Sequence, residues 1–183
     1  MIQQPFVDAN YRFIAAYQEV NTRIAQRQHA LVLYVSLVVG LLATLVALKS
    51  AKVNDNAPIE WLVLGFPVAS LALAFLNYKA ERAITNLRRF LSALEKLNNA
   101  HDILPSYNTD PKWSQGANKA RRFHDFAAAA LVAGSNGLGL IAFFEMYPER
   151  TQSNLFAIGA SILITILSVV AILINSRWSY RPD

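Results

Sequence analysis

Basic side chains are concentrated in one segment near the middle of the chain. Residues 79–125 hold nine of the seventeen Lys and Arg residues. Guanidinium and ammonium groups bind phosphate, and aromatic faces stack on bases, so the segment is compatible with an anion site for a nucleotide or a single-stranded oligonucleotide. The candidate cations are Arg82, Arg88, Arg89, Lys112, Lys119, Arg121 and Arg122, with Tyr107, Trp113 or Phe123 as stacking faces. The alternative is a membrane-surface anchor, whose charges set the orientation of the protein and contact anionic lipid.

Catalytic and metal-binding patterns are not found in the sequence. The three histidines, His29, His101 and His124, are scattered, and the chain has no cysteine. It contains no phosphate-binding loop, nucleophile elbow or zinc-protease motif, and we interpret Asp125 as a helix cap. We therefore expect a protein that is not an enzyme and that uses no metal or cofactor.

Four long stretches of the chain contain no Lys, Arg, Asp, Glu or His, and each is long enough to cross a bilayer core. They are residues 30–48, 61–78, 126–144 and 155–174. The pattern predicts an all-α polytopic membrane protein, in which 1–183 form a single membrane domain with four transmembrane helices. A small transporter is disfavoured, because coupled transporters usually keep an ionisable group at membrane depth.

A few weakly polar residues lie inside these spans. Asn136 is near the middle of the third span, while the fourth carries Ser161, Thr165 and Ser168 at helical spacing. Such residues form hydrogen bonds between packed helices or line a pore in an oligomer, and the pattern is compatible with both. Pro67, in the second span, is expected to kink its helix and to act as a hinge or simply to shape it.

The distribution of Lys and Arg predicts the orientation of the spans. If both termini and the middle segment face the cytoplasm, 14 basic residues lie inside and 3 outside. The positive-inside rule therefore places the amino terminus, residues 79–125 and the tail 175–183 in the cytoplasm. The outer connections are then two short turns.

Apolar residues at helical spacing continue beyond the membrane on the cytoplasmic side. Residues 1–29 are predicted to form an amphipathic helix that enters the first span, and the second span is predicted to continue as a helix until Asn98 and Asn99. We expect these extensions to pack as an antiparallel hairpin. The second extension presents an apolar stripe wide enough to contact another subunit, which predicts a homo-oligomer; its members are Ala83, Leu87, Phe90, Leu94 and Leu97.

This architecture resembles the bacterial SLATT and related SMODS-associated four-span proteins, with Arg23, Arg27 and His29 before the first span as a local similarity. The resemblance implies a pore-forming effector of anti-phage defence in the bacterial inner membrane. It also implies a nucleotide or oligonucleotide signal and a nucleotidyltransferase or another partner from the same operon. A tetramer is the favoured assembly, and opening of the pore would depolarise the cell.

A second function fits the same features. The protein would then be a non-conducting membrane sensor or scaffold that recruits a cytoplasmic defence partner through its basic segment. A channel conducts ions when it is reconstituted alone, whereas a scaffold does not.

Overall fold

The computed structural model describes residues 8–50 and 59–182, and within them every regular element is helical. The α-helices are α1 (Ala9–Ser50), α2 (Ile59–Glu95), α3 (Pro111–Met146), α4 (Pro148–Thr151) and α5 (Leu155–Asn175). Short 3-10 turns cover Leu97–Asp102 and Ser176–Trp178. Four of these helices are long and apolar enough to cross a membrane. The predicted all-α class and the four candidate spans are thereby confirmed.

Three of the four spanning helices are much longer than a bilayer requires. α1, α2 and α3 contain 42, 37 and 36 residues, whereas about 20 residues suffice to cross the hydrocarbon core. α5, with 21 residues, has nearly the minimal length. The first three helices therefore continue well beyond the apolar stretches, and their polar ends gather the charged residues of the chain.

The interior of the bundle is filled by apolar side chains from all four long helices. Phe66 and Leu73 of α2, Phe143 of α3 and Ile172 of α5 are fully buried. α2 contacts both α1 and α5 extensively, so it lies at the centre of the packing. Phe75, Leu163 and other large apolar side chains are exposed on the outside of the bundle, as expected for helices that face lipid.

A second, smaller apolar cluster joins α1 and α2 beyond the spans. Ala16 and Val20 of α1 pack with Ile84 and Leu91 of α2. The apolar stripe predicted for the α2 extension is less buried than these four residues, since Phe90 is 44% exposed and Leu97 is 48% exposed. An apolar surface of the α2 extension is thus left uncovered within one chain.

Two predictions about helix ends are wrong. α2 ends at Glu95, before the predicted end, because Asn98 and Asn99 adopt left-handed backbone with φ of 54° and 57°, a conformation that Asn tolerates better than most residues. The interpretation of Asp125 as a cap is wrong, since α3 begins at Pro111 and its cap is Asp110, whose side chain accepts from the Lys112 amide. Of the predicted outer turn 49–60, residues 51–58 lie outside the described residues.

Candidate functional site

A buried ion network joins three helices at the polar end of the bundle. Arg27 of α1 donates to Glu81 Oε2 of α2 through Nη1, over 3.2 Å, and to Asp125 Oδ1 of α3 through Nη2. Arg121 of α3 donates to the other Glu81 oxygen, also over 3.2 Å. Ser179, beyond α5, donates its hydroxyl to the same Glu81 oxygen over 2.9 Å. Every element that reaches this end of the bundle is therefore tied to Glu81.

The network lies at the boundary of the apolar stretches. Arg27 precedes the first stretch by three residues, Glu81 follows the second by three, and Asp125 immediately precedes the third. Arg27 and Asp125 are each 4% exposed and Glu81 is 1% exposed. Charges so deeply buried are tolerated only when they are paired, so the three helices cannot separate at this level without leaving a charge unpaired.

Arg88 extends the polar cluster away from the membrane boundary but has no carboxylate partner in the described part of the chain. Its Nε donates to Asn108 Oδ1 over 3.0 Å and its Nη1 donates to Asn118 Oδ1 over 3.1 Å. The rings of Tyr107 and Tyr180 lie 5.8 and 5.2 Å from the guanidinium carbon. Nη2 is buried without a hydrogen-bond partner among the described residues. Arg88 is thus a buried cation with one donor group unused.

The loop after α2 is held in place by Glu95. The backbone amides of Asn108 and Thr109 donate to its carboxylate, at 3.0 and 2.9 Å for Oε2, and the Asn108 side chain donates to Oε1 over 2.8 Å. Asn118 in turn donates to the Tyr180 carbonyl over 2.6 Å. The Arg88 environment is therefore built from α2, this loop, α3 and the tail.

Burial alters the protonation of several groups in the cluster, all of which lie outside the membrane-spanning stretches. Burial raises the pKa of Asp125 to about 6, against the lowering effect of the nearby Arg27 charge. Burial also lowers the pKa of Arg88 and of Arg121, and burial together with Arg27 lowers the pKa of His124. The dominant cause in each case is the loss of water around the charged form.

Two cavities with different chemistry open near this cluster. The first, of about 350 Å³, is lined by Lys119, Arg122 and Arg181 together with Gln115 and Asn118, and none of the described residues that line it is acidic. The second, of about 560 Å³, lies between α1, α2 and α3 and is mainly apolar, although Arg88 and Arg121 line it. The two cavities share no lining residue, so they are separate potential sites.

The predicted anion-binding residues are divided among several places. Lys119 and Arg122 line the first cavity, and Arg88 and Arg121 line the second. Arg82 lies 5.5 Å from the Trp178 ring, and Lys112 lies 5.1 Å from the Trp113 ring. Arg89 is exposed and lines neither cavity. One common site for all of the predicted residues is not formed within the chain.

Most polar residues of the spans make hydrogen bonds inside the bundle, although the buried Ser161 hydroxyl has no partner among the described residues. Asn136 donates to Ser70 Oγ over 2.7 Å, and the Tyr34 hydroxyl is hydrogen-bonded to Ser70 Oγ over 3.0 Å. Ser161 and Ser168 are buried. These placements favour interhelical packing. Thr165 donates to the Ser161 carbonyl over 2.7 Å, and Asn136 and Thr165 also line an apolar groove of about 350 Å³ between α3 and α5.

Glu81, Asp125 and Tyr34 are the functional candidates that sequence reasoning missed. One signal for the ion network was available, because Arg27, Glu81 and Asp125 each lie within three residues of an apolar stretch on the same predicted side of the membrane. No such signal was available for Tyr34, because nothing in the sequence distinguishes it from any other tyrosine in a span.

Comparison of the chain with models of protein families, with curated proteins and with solved structures finds no match.

Proposed function

We propose that this protein is an oligomeric membrane pore whose opening is controlled by an anionic ligand, a nucleotide or an oligonucleotide, bound at the cytoplasmic end. The observation that carries the proposal is the three-cation cavity of Lys119, Arg122 and Arg181, which no acidic side chain lines within residues 8–50 and 59–182. Clustered cations without acidic neighbours create a positive potential that attracts phosphate. The resemblance to the SLATT proteins of the bacterial inner membrane agrees with this role.

Helix α3 supplies a physical connection from the cation cavity to the membrane. It runs without interruption from Pro111 to Met146 and carries Lys119 and Arg122 at one end and the third span at the other. Arg121 and Asp125, on the same helix, are tied to Glu81 and Arg27. A ligand that displaces this end of α3 must therefore move the third span or break a buried ion pair.

The conducting path in this proposal lies between copies of the chain. Phe66, Leu73 and Phe143 fill the interior of the single bundle, which leaves the outer groove with Asn136 and Thr165 as the candidate lining. The α1 and α2 extensions form a cytoplasmic antiparallel hairpin, and its uncovered face, with Phe90 and Leu97, joins the subunits into a tetramer. Pro67, buried within α2, is the proposed hinge.

The test is ion flux from liposomes that contain the purified protein, with and without cyclic dinucleotides and short single-stranded DNA or RNA. We expect flux that depends on one of these ligands and ligand binding that weakens steeply with salt, because phosphate contacts release counterions. Lys119→Glu with Arg122→Glu should abolish binding, whereas Arg89→Glu, the matched control outside the cavity, should bind normally. Liposomes that pass no ions under any of these conditions contradict the pore.

The second candidate is a non-conducting scaffold that recruits a cytoplasmic defence partner. The observation that favours it is the apolar tip of the loop after α2, where Ile103 is 84% exposed and Leu104 is 63% exposed. The burial of Ser161 and Ser168 within one chain agrees with it as well. A scaffold should retain the product of a neighbouring gene on membranes, and Ile103→Ser with Leu104→Ser should release that product without altering the spans.

A further inference from the structure

The cavity between α1, α2 and α3 combines an apolar wall with a buried positive charge. Its volume is about 560 Å³, within the range of small-molecule sites. Val20, Ile24, Ile84 and Leu91 contribute to its apolar wall, and no carboxylate from residues 8–50 or 59–182 lines it. Arg88 and Arg121 are its only charged lining residues within the described part of the chain.

The charges around this cavity do not balance. Arg27, Arg88 and Arg121 lie together with two carboxylates, Glu81 and Asp125, which are engaged by Arg27 and Arg121. Glu95 reaches Arg88 only through the neutral Asn108 side chain. A buried guanidinium without a counter-ion is costly, so an anion that reached Arg88 would gain a charge-assisted hydrogen bond.

We propose that this cavity binds a single-chain amphiphile with one anionic headgroup, a long-chain fatty carboxylate or the phosphate of a one-chain lipid. The headgroup lies against Arg88, which has an unused Nη2 donor, and the acyl chain lies along the apolar wall. This site is separate from the three-cation cavity and does not depend on conduction.

The composition of the wall argues against a nucleotide in this cavity. A nucleotide carries polar groups on its base, sugar and phosphates, and each would have to find a partner or lose its hydration. Here the polar lining groups other than the two arginines are Asn21, Asn108 and the hydroxyls of Tyr17 and Tyr107. A hydrocarbon chain, in contrast, gains free energy wherever it covers this wall.

The position of the cavity suits a ligand that comes from the bilayer. Ile24, Ile84 and Ala120 of its wall each lie six residues from an apolar stretch, which is about 9 Å along a helix. Tyr17 and Ile24 are partly exposed at its edge. An amphiphile dissolved in the adjacent leaflet can therefore reach the cavity over a short distance.

The test uses full-length protein, stripped of lipid and held in a non-ionic detergent, with cis-parinarate as a fluorescent fatty carboxylate. We expect saturable binding of one probe per chain, displaced by oleate or by lysophosphatidic acid but not by oleyl alcohol. Displacement by only one of the two anions identifies a carboxylate or a phosphate as the preferred headgroup. Arg88→Met should weaken binding by about tenfold, since a charge-assisted hydrogen bond is lost, while Arg89→Met, one residue away and exposed, should not.

A second variant keeps the proposal falsifiable if Arg88→Met fails to fold. Ala120 lines the cavity from an exposed position, so Ala120→Phe fills the space without disturbing the core and should abolish binding. Equal displacement by oleyl alcohol, or unchanged binding in Ala120→Phe, overturns the proposal. If the probe never binds and Ala120→Phe converts an oligomer to monomers, a second copy of the chain occupies the cavity, and the proposal also fails.

Discussion

At the scale of single residues, Arg27 has the most demanding position in the molecule, because it is the shared partner of two buried carboxylates. Glu81 and Asp125 are separated from it by 54 and 98 residues in sequence. No local pattern could have predicted these pairs, since ion pairs between distant segments depend on how the helices pack. That the three residues lie just outside the apolar stretches was, however, visible in the sequence.

Replacing Arg27 should therefore be far more damaging than replacing an exposed arginine. We expect Arg27→Met to lower the free energy of unfolding by about 3 to 5 kcal/mol, because two buried carboxylates lose a partner. Arg23→Met, which removes a partly exposed ion pair with Glu19 on the same helix, should cost less than about 1 kcal/mol. Denaturant unfolding in mixed micelles measures both, and equal losses would show that the network contributes no more than a surface pair.

The raised pKa of Asp125, about 6, predicts a dependence of stability on pH. The folded state holds this proton more tightly than the unfolded chain does, so the stability contributed by the group is fully present below its unfolded pKa and is lost as the pH rises through 6. The Tm of the wild type, relative to that of Asp125→Asn, should therefore rise between pH 7.5 and pH 5. Asp8→Asn, at an exposed carboxyl, is the control, and a flat difference for Asp125→Asn contradicts the prediction.

At the scale of the elements, the sequence was informative about the spans and less so about helix ends. Hydrophobicity alone predicts the four long helices, because a segment that crosses lipid must satisfy its backbone within a helix. The predicted end of α2 lies too far along the chain, because Asn98 and Asn99 were treated as the last helical residues. In the structure they form the turn itself. The true cap of α3, Asp110, is followed by Pro111, a combination that is favourable at a helix start.

Close packing between α2 and α3 depends on one glycine. A Cβ atom built on Gly139 would lie 3.1 Å from three atoms of the Phe66 ring, whereas one on Gly134 would meet nothing within 4 Å. We expect Gly139→Ala to destabilise the bundle by about 1 to 3 kcal/mol, because the buried Phe66 has little room to move. Gly134→Ala should be nearly neutral. Unfolding in detergent measures the stability of the two variants. Equal stability would show that α2 and α3 can move apart at Gly139 at little cost in free energy.

At the scale of the whole molecule, the orientation in the membrane is the prediction on which the proposed functions depend. The chain has no cysteine, so single cysteines report accessibility without interference. Cysteine at Ser153, in the turn before α5, should react in intact cells with a membrane-impermeant thiol reagent, whereas cysteine at Ser106, in the loop before α3, should not. Labelling of the Ser106 variant in intact cells would show that the topology is the reverse of the predicted one and that the cation cavity lies outside.

The ligand sites could be predicted from the sequence only as a class of chemistry. A surplus of Lys and Arg indicates an anion, but it does not show that Lys119 and Arg122 meet Arg181 of the tail while Arg88 and Arg121 face a different cavity. That division arises from the direction in which successive residues of α3 point, together with the return of the tail after α5. Both follow from packing among all four long helices, so they cannot be predicted from local sequence patterns.

The order of the ion network along the chain has a consequence for biogenesis. Arg27 and Glu81 flank the first pair of spans, so a nascent chain with only α1 and α2 inserted already holds both partners of one ion pair. Arg121 is synthesised 40 residues after Glu81, and Asp125 follows it. Until the third span enters the bilayer, Arg27 therefore lacks Asp125 and Glu81 lacks Arg121. Closure of these ion pairs therefore distinguishes a chain whose third span is in place from one halted after the second span, in which buried charges lack partners.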